Sequence, residues 1–84
     1  MKAKRVDSWP FQILGGEAVI VVPQRREIHR LNEVGTFLWN ELREERGIEE
    51  LAARVSEEFE VDEAAARADV ERFIEDLRKR GLVS

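Results

Sequence analysis

The sequence contains no cysteine. That absence removes disulfides, thiolate zinc sites, iron–sulfur ligation and cysteine nucleophiles together, and it fits a reducing cytoplasm. Histidine is almost as scarce. His29 is the only one, and no serine–histidine–aspartate set or metal-ligand cluster surrounds it, so catalysis has little to work with. No catalytic residue, metal ligand or cofactor site is expected. Behind the basic start Lys2-Ala3-Lys4-Arg5 there is no apolar run of signal-peptide length. Nor does any stretch approach the roughly 18 apolar residues of a membrane span. The expectation is a cytoplasmic protein without membrane attachment.

What is present suits one small globular domain. The chain has 84 residues, 43% hydrophobic and 38% charged, enough for one core but not for a core plus a deep catalytic cleft. Paired carboxylates at Glu44-Glu45, Glu49-Glu50 and Glu57-Glu58 fall in amphipathic patterns and read as solvated helix faces. The net charge of −4 is unevenly spread: residues 1–31 hold six basic and three acidic side chains, and residues 32–84 hold eight and fifteen. Such polarity bears on partners rather than on fold.

The pattern along the chain predicts an α+β domain: a three-stranded antiparallel sheet followed by three helices, in winged helix-turn-helix order. Residues 1–10 read as an N-terminal tail, 11–31 as a β-meander and 32–83 as the helices. Gly15-Gly16 separates Phe11-Gln12-Ile13-Leu14 from Ala18-Val19-Ile20-Val21-Val22, a two-residue hairpin signal because glycine accepts positive φ. Pro23 closes the second run, and Glu27 to Leu31 forms a third. The first and third strands are then the sheet edges.

From Asn32, a good N-cap, the period becomes helical. Val34, Phe37, Leu38, Trp39 and Leu42 mark a first helix fading at Gly47. Ile48, Leu51, Ala52, Val55 and Phe59 mark a second. Asp62 caps a third with the stripe Ala66, Val70, Phe73 and Leu77, stopped by Gly81 behind Arg78-Lys79-Arg80.

Helix two, a short turn and helix three resemble a DNA-binding helix-turn-helix with a neighbouring wing. Charge argues against it. From Glu63 to Asp76 the candidate recognition helix holds five acids against Arg67 and Arg72, which phosphates would repel. That leaves a binding module, since the third strand is an edge whose free backbone groups can template a strand from another chain. Glu27, His29 and Arg30 serve equally as protection of that edge against aggregation. Ile74 broadens the apolar face of helix three toward a flank bearing Arg67 and Arg78. Periodicity alone leaves open whether Ile74 forms a shelf or completes the core.

The run Leu31-Asn32-Glu33-Val34-Gly35-Thr36-Phe37-Leu38-Trp39 resembles the PqqD family. The likeness continues through Ile48-Glu49-Glu50-Leu51-Ala52, Glu58-Phe59-Glu60-Val61-Asp62, Ala68-Asp69-Val70, Phe73, Leu77 and Gly81-Leu82-Val83. The resemblance implies a non-enzymatic recognition element that binds the leader of a ribosomally made precursor peptide by strand addition. Its partners would be that peptide and a separate modifying enzyme, often a radical S-adenosylmethionine protein, in pyrroloquinoline quinone or another modified-peptide pathway. Nucleic acid and membrane are not expected partners. Carried over by position, Glu27, Ile28, His29, Arg30 and Leu31 would supply backbone pairing. Arg67, Val70, Ile74, Leu77 and Arg78 would supply the helix side of the groove.

Overall fold

The computed structural model describes residues 2–84. Gly15 and Gly16 turn the main hairpin with φ of 59° and 82°, both in the left-handed region that a type I′ turn requires. The hairpin joins β2 (Phe11–Leu14) to β3 (Glu17–Val22), and a 3-10 turn at Pro23–Arg25 leads into β4 (Glu27–Arg30). The sheet order is β2-β3-β4, antiparallel throughout, so β2 and β4 are its edges, as the sequence predicts.

Three helices follow: α1 (Glu33–Glu41), α2 (Ile48–Phe59) and α3 (Glu63–Lys79). Each start has a local cause. The Asn32 side chain accepts from the Gly35 amide at 2.8 Å, and Asp62 accepts from Ala64 and Ala65, satisfying amides that have no partner within the helix. Gly81, at φ 74°, ends the run after α3.

The core lies between one sheet face and the helices. Ala18, Ile20 and Val22 point inward from β3 in strict alternation. They meet Leu38, Trp39 and Leu42, then Leu51 and Val55, then Ala66, Val70, Ile74 and Leu77. Thr36 ties the layers together: its hydroxyl accepts from the Ala18 amide at 2.8 Å and donates to the Leu31 carbonyl. No described helix is long and apolar enough to cross a membrane.

Two features differ from the sequence reading. Residues 2–9 are bound to the domain rather than hanging as a tail. Lys2–Ala3 forms β1, paired antiparallel with β5 (Arg46–Gly47), and Arg5 bridges to Val83. The Arg5 guanidinium lies 4.9 Å from the Phe11 ring centre and 5.6 Å from that of Trp39, within cation–π range. Trp9 donates its indole N–H to the Gly81 carbonyl at 3.0 Å. The first helix also stops at Glu41 instead of fading at Gly47, because Arg46 and Gly47 are drawn out to pair with the N-terminal segment.

Candidate functional site

β4 is a free edge, and its register decides which groups are free. Leu31 donates to Ala18 at 2.9 Å, and the β3–β4 pairs run Arg30↔Val19, His29↔Ile20, Ile28↔Val21 and Glu27↔Val22. Hydrogen bonding alternates along an antiparallel pair, so Glu27, His29 and Leu31 turn their backbone groups toward β3. Ile28 and Arg30 turn theirs away from the sheet. The edge therefore offers the N–H and C=O of Ile28 and Arg30, separated by one residue along β4 and open to another strand.

Side chains alternate in the same frame. Ile28, 70% exposed, and Arg30 point to the outer face, whereas Glu27, His29 and the buried Leu31 point toward α3. His29 is held on both sides, its side chain only 11% exposed. Arg80 Nη1 stands 3.0 Å from Nδ1, and Nε2 stands 3.0 Å from Glu27 Oε1. Arginine can only donate, so Nδ1 accepts and Nε2 carries the proton to Glu27.

Opposite this edge runs one flank of α3. Arg80 meets His29, and Arg25 donates to the Arg80 carbonyl, which fixes the helix end beside β4. One face back along the helix, the Phe73 ring lies over the first turn of α1. A Cβ built on Gly35 would come 3.0 Å from Phe73 Cε1 and 3.3 Å from Leu31 Cβ. The glycine of Leu31-Asn32-Glu33-Val34-Gly35 is thus where the ring approaches the helix. Helical spacing puts Asp69, Phe73, Asp76 and Arg80 on this flank. Of these, Arg80 contacts β4 through His29, and Phe73 reaches Gly35 beside Leu31; Leu31, Val70 and Leu77 are buried in the core.

The other expected groove residues fall elsewhere. Arg67, Ile74 and Arg78 lie on the opposite flank of α3. Arg67 pairs with Glu49 at 2.7 Å, and Arg78 donates to the carbonyls of Lys2 and Ser84. Ile74 is 1% exposed within the core. With Lys2, Gly47 and Ile48 these three border a separate cleft of about 570 Å³ between α3, β1 and the start of α2. The structure therefore does not bring Arg67, Ile74 and Arg78 together with Glu27–Leu31. An apolar stripe gives the width of a helix face but not which neighbour each border meets. Phe73 and Arg80, absent from the expected set, are the residues of α3 and its end that the structure brings to the β4 side. Gly35 was a readable signal for Phe73, since an unneeded glycine inside a helical turn marks a close approach.

Electrostatics weigh against a nucleic-acid surface on α3. The basic side chains on α3 and at its end are engaged locally: Arg67 with Glu49 and Glu71, Arg72 with Asp69, Arg78 with the Lys2 and Ser84 carbonyls, Lys79 with Glu75, and Arg80 with Asp76. No group of three or more potential metal-ligating side chains occurs among the described residues.

The family model for coenzyme PQQ synthesis protein D (PqqD) matches residues 17–83. The chain belongs to the PqqD family. None of the curated proteins matches it, but solved structures do. TbiB1, determined in complex with the TbiA(β) leader peptide, is 25% identical with a TM-score of 0.85, over 96% of this chain and 94% of that one. The PqqD truncation of Methylobacterium extorquens PqqCD, described as a functional, stand-alone recognition element for ribosomally synthesised and post-translationally modified peptides, shares the fold. Its TM-score is 0.80 at 10% identity, over 99% of this chain and 88% of that one. The resemblance read at Leu31–Trp39 therefore extends through β3, β4 and all three helices.

Proposed function

We propose that this PqqD-family chain binds the leader of a ribosomally made precursor peptide as a fourth strand along β4 and presents it to a separate modifying enzyme in the cytoplasm. The observation that carries the reading is the pair of outward-facing backbone sets at Ile28 and Arg30 beside the Phe73 flank of α3. Family membership supports it, as does the likeness to TbiB1, a protein determined with a leader peptide bound.

Affinity in this mode comes from main-chain hydrogen bonds, each worth about 0.5–1.5 kcal/mol net. Specificity comes from side chains on alternate faces. Glu27 and His29 meet the peptide's inward side chains, together with Phe73 and Arg80. The chemistry belongs to the partner enzyme, which in one common arrangement is a radical S-adenosylmethionine protein. The pathway is the synthesis of pyrroloquinoline quinone or of another modified peptide.

Fluorescence anisotropy with the labelled precursor encoded beside this gene tests the reading. Saturable binding, undisturbed by duplex DNA, is expected. Duplex binding with a steep salt slope and no uptake of the peptide would replace it with a nucleic-acid function.

A further inference from the structure

Ile28 is the most exposed large hydrophobic side chain of the described residues, at 70%. A single exposed isoleucine is ordinary on a protein surface. What distinguishes Ile28 is its row. It lies opposite Val21 on β3, and Val21 donates its amide to Pro10, so an apolar band crosses the outer face of the sheet from Pro10 through Val21 and stops at Ile28. A shallow apolar hollow bordered by Pro10, Val19 and Val21 lies on the same face. The next row ends in Arg30, 65% exposed in its side chain and paired on its inner side with Glu17 at 3.3 Å. Both rows run off the sheet at the two residues whose backbone groups are free.

Edge strands are normally blunted against pairing by charge, bulges or brevity. β4 is short and carries Arg30, yet it also sets an apolar side chain on the outer face of its open edge. A strand paired there places its own outward side chains beside Ile28 and Arg30, at the 4.5–5.5 Å Cβ spacing of cross-strand neighbours. The bound peptide thereby extends both rows by one residue.

We infer that the outer row of β4 selects the peptide: its leader segment carries an apolar side chain against Ile28 and, two residues away, an acidic one against Arg30. The inference rests on the strand-addition reading above and specifies the peptide class it takes. Recognition then uses both faces of the added strand. The inward residue between those two meets His29, Phe73 and Arg80, and the outward pair meets Ile28 and Arg30. Arg30, with Glu17 on one side and the open edge on the other, is placed to hold a second carboxylate without leaving its row.

The test is selection from a displayed library of random linear peptides by three proteins: the native chain, Ile28→Lys and Arg30→Glu. Both substitutions fall on exposed side chains, and circular dichroism confirms each fold. Native protein is expected to enrich peptides with an apolar and an acidic residue two positions apart. Arg30→Glu should change the acidic preference to a basic one, and Ile28→Lys should change the apolar preference to an acidic one. A native-selected peptide should bind the Ile28→Ala protein about two- to fivefold more weakly, the scale of one cross-strand pair. Backbone amide protection at Ile28 and Arg30 is read on the same complexes. Protection with preferences unchanged by the substitutions overturns the outer-row inference and leaves strand addition standing. Binding without protection at β4 overturns both.

Discussion

Arg80, just past the end of α3, reaches His29 on β4 with Nη1 3.0 Å from Nδ1. The contact ties the end of α3 to β4, and Arg25 reinforces it by donating to the Arg80 carbonyl. Arg80→Ala removes the side-chain clasp but keeps the Arg25 tether, which uses the main chain. Stability should fall by less than about 1 kcal/mol, the usual worth of an exposed polar pair. Peptide affinity should fall about two- to fivefold, because the end of α3 is then no longer held against β4. Titration of the variant with the precursor, beside urea unfolding, separates the two effects. Unchanged affinity would remove the clasp from the recognition machinery.

Ile74 lies within the core at 1% exposure. Ile74→Ala should cost about 2–4 kcal/mol in chemical unfolding, as buried large-to-small changes do. For a domain this small that is a large share of the total. In the fraction that stays folded, affinity for the peptide should match the native protein. A groove role would show the reverse, a stable variant that binds poorly.

The N-terminal segment makes a third prediction. Removing residues 1–6 takes away the Arg5-to-Leu42 and Val6-to-Leu82 hydrogen bonds, the acceptor of the Ser84 amide, the buried Ala3 and the Arg5 guanidinium over Phe11 and Trp39. Stability should drop by about 2–4 kcal/mol on the usual worth of such bonds. The β2-β3-β4 sheet should persist, since β1 pairs only with β5. A truncated chain as stable as the whole would mean that these contacts contribute nothing net.

Much of this fold was legible in the residues because its determinants are local. Gly15-Gly16 can turn a hairpin wherever it occurs, and Asn32 and Asp62 cap helices through their own side chains. Strand β1 was not legible, since two residues display no period and only Ala3 is buried. The edge residues Glu27–Leu31 follow from strand order alone. The helix side does not. Val70, Leu77 and Ile74 belong to the core whichever flank is used, but the choice between the Phe73–Arg80 flank and the Arg67–Arg78 flank depends on where β4 and β1 lie, which is set by contacts distant in sequence. The closest clue was Gly35, whose missing side chain leaves room for Phe73.

The same two flanks give a comparison within one molecule. Phe73→Leu shortens the groove wall while keeping an apolar residue beside Gly35, and it should weaken the peptide about three- to tenfold, the range of one lost aromatic contact. Arg67→Glu, on the far flank, should leave affinity within about twofold, the scale of an exposed ion pair distant from the site. Isothermal titration of both variants checks the pair. Equal losses would put the peptide in contact with both sides of α3.

If the peptide pairs with β4, the register names the amides that must report it. Ile28 and Arg30 turn their N–H groups away from β3, whereas those of His29 and Leu31 are already bonded within the sheet. Amide hydrogen exchange followed by NMR, with and without the precursor's leader, tests this directly. Ile28 and Arg30 should exchange quickly in the free protein and slow markedly in the complex, while the amides around Ile48 at the far cleft stay as they were. Slowing at the start of α2 and along β1, with Ile28 and Arg30 unchanged, would contradict the account.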